Sequence, residues 1–152
     1  MKAAIIFHII VATLFALSSC NNTQYNERYT IPEGRWKQNN KARFELTIND
    51  TIQSHQFSIS LRHMENYRYS NLFVFLHTTM PNGNVTHDTL ECTLAMPNGR
   101  WIGKGSGSMR DIKVILNPAL RFPLKGNYIF EIEQAMREEP LIGIADIGIT
   151  IQ

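Results

Sequence analysis

The sequence predicts an all-β fold, a single antiparallel β-sandwich of about eight strands with a jelly-roll or Ig-like topology. The main observation is a two-residue period of apolar side chains, typical of half-buried strands, in residues 44–48, 57–61 and 128–132. Beyond residue 29, no segment of eleven or more residues shows the apolar stripe of an amphipathic helix. The tetrapeptide MPNG occurs at residues 80–83 and 96–99, and Asn-Gly between alternating runs is a strong hairpin signal.

Residues 1–19 predict a cleaved lipoprotein signal peptide. Lys2 precedes about fifteen mostly apolar residues, fewer than the roughly 20 that span a bilayer. Residues 17–20, LSSC, resemble the bacterial lipobox, in which an aliphatic and two small residues precede an obligatory cysteine. The resemblance implies cleavage before Cys20, a diacylglycerol on its sulfur and fatty acyl chains such as palmitate. The alternative is an ordinary signal peptide with a coincidental cysteine.

The remaining chain predicts a lipidated Cys20 with a flexible tether over residues 20–29, followed by one sandwich domain over residues 30–152. The formal net charge is +2, and cleavage removes Lys2 and no acid, which leaves +1. This near-balance gives no electrostatic reason to expect nucleic acid as a partner. With Cys20 acylated, Cys92 has no intramolecular disulfide partner and is expected to be a small buried apolar residue.

The central strands follow from the hairpin signals. Residues 71–77, NLFVFLH, are apolar on both faces, which predicts a central strand that is covered on each side. A two-residue turn at Asn82-Gly83 would place His77 opposite Asp88. The same turn at Asn98-Gly99 would place Met96 opposite Trp101.

A row of alternating glycines follows the second hairpin, and the same register places it opposite Leu90, Cys92 and Leu94. Gly103, Gly105 and Gly107 would leave one strand face without side chains. Glycine weakens a strand unless close approach is needed, so the row should admit either aromatic rings of the facing sheet or a ligand.

The C-terminal strand carries a change of phase. Ile142 and Ile144 occupy even-numbered positions, whereas the later isoleucines at 147, 149 and 151 occupy odd-numbered positions. In a regular strand the two groups would point to opposite faces. A bulge near Ala145-Asp146 would restore one continuous apolar face. Asp146 is then expected either to accept hydrogen bonds from the bulge amides or to bind a ligand.

Residues suited to catalysis are few, and the sequence predicts no enzyme and no cofactor. His77, His87 and Asp88 could form a metal or acid/base site across the first hairpin, but an exposed cross-strand pair explains them equally. Residues 99–108, GRWIGKGSGS, lack the spacing and the following helix of a phosphate-binding loop. Glu131/Glu133 and Glu138-Glu139 could serve as glycosidase carboxylates, although acid pairs are common on solvated strands.

Four segments carry a family resemblance. They are YRYSNLFVFLHTTMPNG, DTLECTLAMPNGRWIGKG, FPLKGNYIFEIEQAMR and LIGIADIGITI. Together with the lipobox they resemble the gliding motility lipoprotein H (GldH) family of the Bacteroidota. The resemblance implies a membrane-anchored, non-catalytic adaptor of the gliding machinery and the associated type IX secretion apparatus, with envelope proteins and the lipid bilayer as partners. It supplies no catalytic residues, no cofactor and no small-molecule ligand.

The residue types predict an interaction patch formed by Arg100, Trp101, Met136 and Arg137, because Trp, Met and Arg are enriched at interface cores. The alternative function is a glycan-binding lipoprotein of the cell envelope. In that case Trp36, Trp101 or a tyrosine of the YRY segment at 67–69 would stack on a sugar beside the glycine row.

The residues after Cys20 favour a location. Asn21 and Asn22 follow it, and the inner-membrane retention signal of proteobacteria, an Asp at that position, is missing. The outer membrane is therefore expected. The first acidic residue is Glu27, which favours a periplasm-facing domain over a surface-exposed one.

Overall fold

The structure, a computed structural model, describes residues 24–105 and 107–152. Cys20 and the predicted signal peptide lie outside this range. One short 3-10 turn spans Pro32–Gly34. The strands in chain order are β1 Tyr25–Thr30, β2 Arg35–Trp36, β3 Ala42–Ile48, β4 His55–Met64, β5 Asn71–Thr79, β6 Val85–Thr93, β7 Met109–Leu120, β8 Gly126–Gln134, β9 Leu141–Ile142 and β10 Ile144–Ile151.

Eight of these strands form two four-stranded antiparallel sheets. The first sheet, sheet A, has the order β1-β10-β4-β7, and the second, sheet B, has the order β3-β8-β5-β6. The two-residue strands β2 and β9 pair separately. The predicted all-β sandwich is confirmed. Among residues 24–105 and 107–152, no helix is long and apolar enough to cross a membrane.

The core lies between the inner faces of the two sheets. On β3 the residues alternate strictly between buried and exposed, as the two-residue period predicted. Trp36 is fully buried, and its indole N–H donates to the carbonyl of Asn40 at 2.7 Å. β5 is central, but only its inner face is covered, because Phe73 and Phe75 remain 36% and 39% exposed. The expectation that β5 is covered on both faces was wrong.

The tether is shorter than the sequence suggested. Residues 25–29, assigned to a flexible segment, belong to β1, which pairs with β10 from Tyr25 opposite Ile151 to Thr30 opposite Asp146. β1 buries little of its own surface, so its ladder with a strongly apolar neighbour orders it. The chain therefore enters sheet A at Gln24, whose N–H donates to the Ile151 carbonyl at 3.0 Å.

The first hairpin has a three-residue loop, so the predicted register was wrong by one position. The Met80 N–H donates to the Asn84 carbonyl, and Gly83 takes a φ of 84°. This combination is a tight turn closed by a left-handed glycine, another common hairpin form. His77 consequently lies opposite His87. Asp88 moves to the inner face, because one residue of slip exchanges the two faces of a strand.

The second hairpin and the glycine row also differ from expectation. Trp101 pairs with Ala95 instead of Met96, and the chain then leaves β6 and bridges Lys104 to Asp111. A Cβ on Gly103 would lie 2.8 Å from the Asp111 carbonyl oxygen, and one on Gly105 would lie 2.3 Å from that of Met109. These two glycines allow close approach of backbone to the start of β7. The atoms nearest to a Cβ at these two positions belong to no ring, so the glycines do not accommodate aromatic side chains of the facing sheet. Gly103 also borders an open cavity of about 440 Å³ beside Arg28, Lys104 and Asp111.

The bulge in the last strand is confirmed. The register of β10 with β4 shifts between Ile144 and Asp146. The Asp146 carboxylate accepts a hydrogen bond from the Thr30 hydroxyl at 2.8 Å and lies 3.3 Å from an Arg62 guanidinium nitrogen. It joins neighbouring strands, so the expectation that it accepts from the bulge amides was wrong.

The sandwich has two distinct ends. Tyr25, Ile151, Phe57 and Asn117 follow one another across sheet A at the end where the chain enters. We call this the proximal end. It also carries the loops at 49–54, 80–84 and 121–125. The distal end carries the loops at 65–70 and 135–140 and the loop residues 94–105 and 107–108.

Candidate interaction surface

All four residues of the predicted interaction patch lie at the distal end. Arg100 and Trp101 follow the second hairpin, and Met136 and Arg137 follow β8. The two arginines are exposed, and Trp101 and Met136 are half-buried. The structure thus brings to one end of the sandwich two pairs that are 35 residues apart in the sequence.

A series of ring contacts extends from Trp101 across this end. The Trp101 and His63 ring centroids are 4.5 Å apart, those of His63 and Tyr67 are 5.9 Å apart, and those of Tyr67 and Tyr69 are 5.6 Å apart. Tyr67 is buried, and its hydroxyl donates to the Asn71 carbonyl at 3.0 Å. The rings are therefore held in place by β4 and by the turn that follows it.

Met136 lies beside the end of this series. Its sulfur accepts a hydrogen bond from the Phe73 N–H at 3.3 Å, and its own N–H donates to the Gln134 side chain at 2.8 Å. The Tyr69 hydroxyl donates to the Glu138 carboxylate at 3.0 Å. A shallow cavity of about 370 Å³ is present here. Its lining is Tyr69, Phe73, Ala135, Met136 and Arg137.

We define the distal surface as Tyr69, Phe73, Arg100, Trp101, Met136 and Arg137. It combines exposed guanidinium groups with partly exposed aromatic and thioether groups, a composition that is typical of interface cores. The sequence interpretation missed Phe73, because the strand that contains it was expected to be covered on both faces. The alternation of Phe73 and Phe75 with Leu72 and Val74 is the signal that separates an open outer face from a buried inner one.

His63 is the buried titratable group beneath this surface. Burial lowers its pKa below the usual 6.5, and the nearby Arg110 acts in the same direction, whereas Asp111 and the Met64 carbonyl oppose them. Nδ1 lies 3.0 Å from the Met64 carbonyl and donates to it, while Nε2 is buried without a hydrogen-bond partner among the described residues. His63 is therefore a neutral ring at pH 7, and its contact with Trp101 is tilted, with 60° between the ring planes.

An ion-pair network covers the outer face of sheet A. Arg28 lies 2.9 Å from Asp111, and Arg62 lies 3.2 Å from Asp111 and 3.3 Å from Asp146. Desolvation opposes ionisation of Asp111, but the hydrogen bonds from both arginines outweigh it and hold the pKa of the carboxyl below its usual range. The network ties together all four strands of sheet A and leaves these groups engaged with one another.

The predicted histidine site is only partly assembled. His77 Nδ1 and His87 Nδ1 are 2.5 Å apart, and His77 Nε2 lies 3.4 Å from a Glu133 oxygen, but Asp88 is on the opposite face of β6. Within the described part of the chain, no three His, Cys, Asp or Glu side chains are grouped closely enough to hold a metal ion. The pair has the geometry of a cross-strand contact on a partly solvated sheet face.

Most of the side chains considered for stacking on a sugar or for catalysis are buried in the core or are bound to other side chains of the domain. Trp36 is a core residue, so its proposed role in stacking was wrong. Glu138 accepts from Tyr69, and Glu133 pairs with Lys41 at 3.1 Å. Cys92 is buried as predicted, and burial raises the pKa of its thiol to about 11.

Comparison with known proteins gives a consistent match. The family model described as GldH lipoprotein matches residues 23–151. The chain is 34% identical over 160 residues to the gliding motility lipoprotein GldH homolog of Christiangramia forsetii, covering 100% of this chain and 98% of that protein. It is 29% identical over 151 residues to gliding motility lipoprotein GldH of Flavobacterium johnsoniae, covering 95% and 94%. Among solved structures, an exo-beta-1,3-galactanase from Phanerochaete chrysosporium has a TM-score of 0.39 at 10% identity, covering 84% of this chain and 26% of that one, too low to support an inference.

Proposed function

Because this chain belongs to the GldH lipoprotein family, we propose that it is a lipid-anchored, non-catalytic adaptor of the gliding motility machinery and the associated type IX secretion apparatus. Acylated Cys20 holds it at the periplasmic side of the outer membrane. The distal surface binds another envelope protein.

The observation that carries the proposal is the polarity of the domain. The chain comes from Cys20 into sheet A at the proximal end, whereas the distal surface lies at the other end of the strands. The lipid therefore leaves the distal surface facing away from the membrane. β8 has nine residues, which correspond to a length of about 30 Å. A partner would meet the distal surface at about this height above the proximal end.

The side chains of the distal surface suit a protein partner. Trp101, Tyr69 and Phe73 offer rings of which one side is fixed by contacts within the domain, so little conformational freedom is lost on binding. Arg100 and Arg137 are exposed and can donate several hydrogen bonds to a partner carboxylate. The partner that this surface fits is an envelope protein with an apolar patch bordered by acidic residues.

The test is crosslinking in intact cells followed by mass spectrometry of the solubilised envelope. A single partner should be recovered with the wild-type protein, and its yield should fall at least tenfold with Arg137→Glu, equivalent to about 1.4 kcal/mol of binding free energy. Arg43→Glu is the matched control, because Arg43 is also exposed but lies on the outer face of β3, 2.7 Å from Glu45.

The same spectra report the anchor. The N-terminal peptide should begin at Cys20 and carry the mass of its acyl chains. Recovery of no partner under mild crosslinking, or equal loss with the Arg137 and Arg43 variants, would contradict the adaptor role. An unmodified N-terminus in a freely dissolved protein would contradict the anchor.

A further inference from the structure

A second cavity lies at the proximal end, between strands β6 and β7. It has a volume of about 340 Å³, within the range of small-molecule sites. β6 is an edge strand of sheet B and β7 is an edge strand of sheet A, so their inner faces border the cavity on the same side of the sandwich. Its lining is mostly apolar and includes Leu76, Met80, Leu90, Leu116, Leu120 and Phe122. We call this cavity the proximal cleft.

The lining of the proximal cleft is amphipathic. Leu76 and Leu90 lie on the inner faces of β5 and β6, while Thr86 and Asp88 lie on β6 between Leu90 and the first hairpin. Arg121 borders the cleft from the loop between β7 and β8, where it is exposed. An apolar interior with polar groups toward the proximal end matches a ligand that has a long hydrocarbon chain and a polar head.

The position of the chain entry identifies the occupant. From Gln24 back to Cys20, four residues extend at most about 14 Å. From β1 to β7, sheet A has three strand spacings, also about 14 Å. The cysteine side chain and its glycerol bridge extend the reach beyond that distance, so an acyl chain attached at Cys20 can arrive at the mouth of the cleft.

We infer that one acyl chain on Cys20 docks into the proximal cleft of its own domain. The inference rests on the proposed acylation of Cys20. Covalent attachment gives this chain a high effective concentration at the cleft, so it has an advantage over free membrane lipids of the same chemistry. Docking shields that chain from water, and it holds the proximal end against the membrane whenever the other acyl chains are inserted in the bilayer.

The experiment uses the full-length protein in its own envelope. Cells are grown with a photoreactive diazirine fatty acid, which enters the lipid on Cys20, and the envelope is illuminated before digestion and mass spectrometry. The expected product joins the Cys20 peptide to peptides that contain Thr86–Leu90 or Leu116–Phe122. Thr86→Trp, which fills the cleft from β6, should lower the yield of this product at least fivefold.

The matched control is Thr89→Trp, because Thr89 lies on the same strand but on the outer face, opposite Phe75. Its yield should equal that of the wild type, and thermal melts of both variants should confirm folding. The wild-type map is decisive even if Thr86→Trp does not fold.

Three outcomes would overturn the inference. In the first, labelled Cys20 is crosslinked only to other molecules. In the second, the cleft peptides carry the mass of a phospholipid without the Cys20 peptide, which would assign the cleft to membrane lipid. In the third, the Cys20 peptide carries no acyl mass of any kind, and this outcome alone also removes the proposed anchor.

Discussion

Replacing Trp101 by alanine should separate the proposed binding role of the distal surface from the stability of the fold. The Trp101 ring contacts the His63 ring, with centroids 4.5 Å apart and planes inclined at 60°, and it is half-buried, so the substitution removes a ring contact and part of the apolar area of the indole. An aromatic pair contributes about 0.5–1.5 kcal/mol, and half of the roughly 150–250 Å² that an indole can bury contributes about 2–3 kcal/mol. Because the site is partly open, water can fill the space that the indole leaves, which offsets part of these two contributions. We therefore expect a loss of about 2–3 kcal/mol in the free energy of unfolding.

This loss is smaller than that of the other tryptophan. Trp36 is 0% exposed, and alanine there should cost about 3–5 kcal/mol because a closed cavity remains. Total stability is typically about 5–15 kcal/mol, so Trp101→Ala should stay folded at 25 °C. Denaturant unfolding of the purified domain, followed by far-ultraviolet circular dichroism, measures both values.

The functional assay is crosslinked recovery of the partner at a temperature where the variant is folded. As a central ring of the surface, Trp101 should contribute at least about 2 kcal/mol to binding, so recovery should fall about thirtyfold. Trp101→Phe, which keeps a ring against His63, should retain most of both stability and recovery. The reasoning would be refuted if the partner were recovered normally with Trp101→Ala. It would also be refuted if Trp101→Ala lost as much free energy of unfolding as Trp36→Ala.

Four further measurements test the structure. Asp111→Asn should lose about 0.5–1 kcal/mol at neutral pH and low salt, and the difference from wild type should shrink as pH falls through the lowered pKa of the native carboxyl, because the stabilisation is present only above it. Stability should fall below pH 6.5 by up to about 1.4 kcal/mol per pH unit, because the unfolded chain protonates His63 first, and His63→Phe should flatten this slope. Titration with a thiol reagent should find Cys92 unreactive in the native protein and a single thiol after denaturation, since burial raises its pKa to about 11, whereas two thiols would mean an unmodified Cys20. Single-molecule pulling of Gln24 against the distal end should need a higher force than pulling it against Gln152, and equal forces would contradict the β1–β10 pairing.

The two layers of the fold could be predicted because the alternation of apolar and polar residues along a strand is a local property of the sequence. The isoleucines of β10 change parity at Ala145, and only a bulge keeps all of them in the core, so the irregularity could be placed within two residues. Hairpin register was less accessible, because Asn-Gly suits both two-residue and three-residue loops. Both loops place the glycine in the left-handed region, but a two-residue type I′ turn also needs a positive φ at Asn82, which Asn82 does not have. The resulting shift of one residue exchanged the faces of His87 and Asp88.

The candidate sites were predicted as far as residue type allows. Trp101 and Arg137 were selected for their side chains, and the structure places both at one end. The proximal cleft was not predicted, because it depends on long-range pairing. β7 pairs with β4, from His55 opposite Leu120 to Met64 opposite Met109. The predicted hairpin register placed only the glycine row beside β6 and assigned no partner to residues 109–120. The cavity exists because β6 and β7 are edge strands of different sheets.

The pairing of β1 provides a mechanical link between the proposed anchor and the distal surface. Tension between a lipid at Cys20 and a partner on the distal surface runs along the strands, because the chain enters β1 at the proximal end. The ladder from Tyr25 to Thr30 then carries this tension in shear, with all its hydrogen bonds loaded together, whereas opening β1 from the Ile151 side would break them in turn. β10 is buried along its whole length, so the load passes from a thinly buried edge strand into the best-packed strand of the domain. A tether that ended inside a surface loop would offer no such resistance, and an adaptor between a membrane and a moving apparatus needs it.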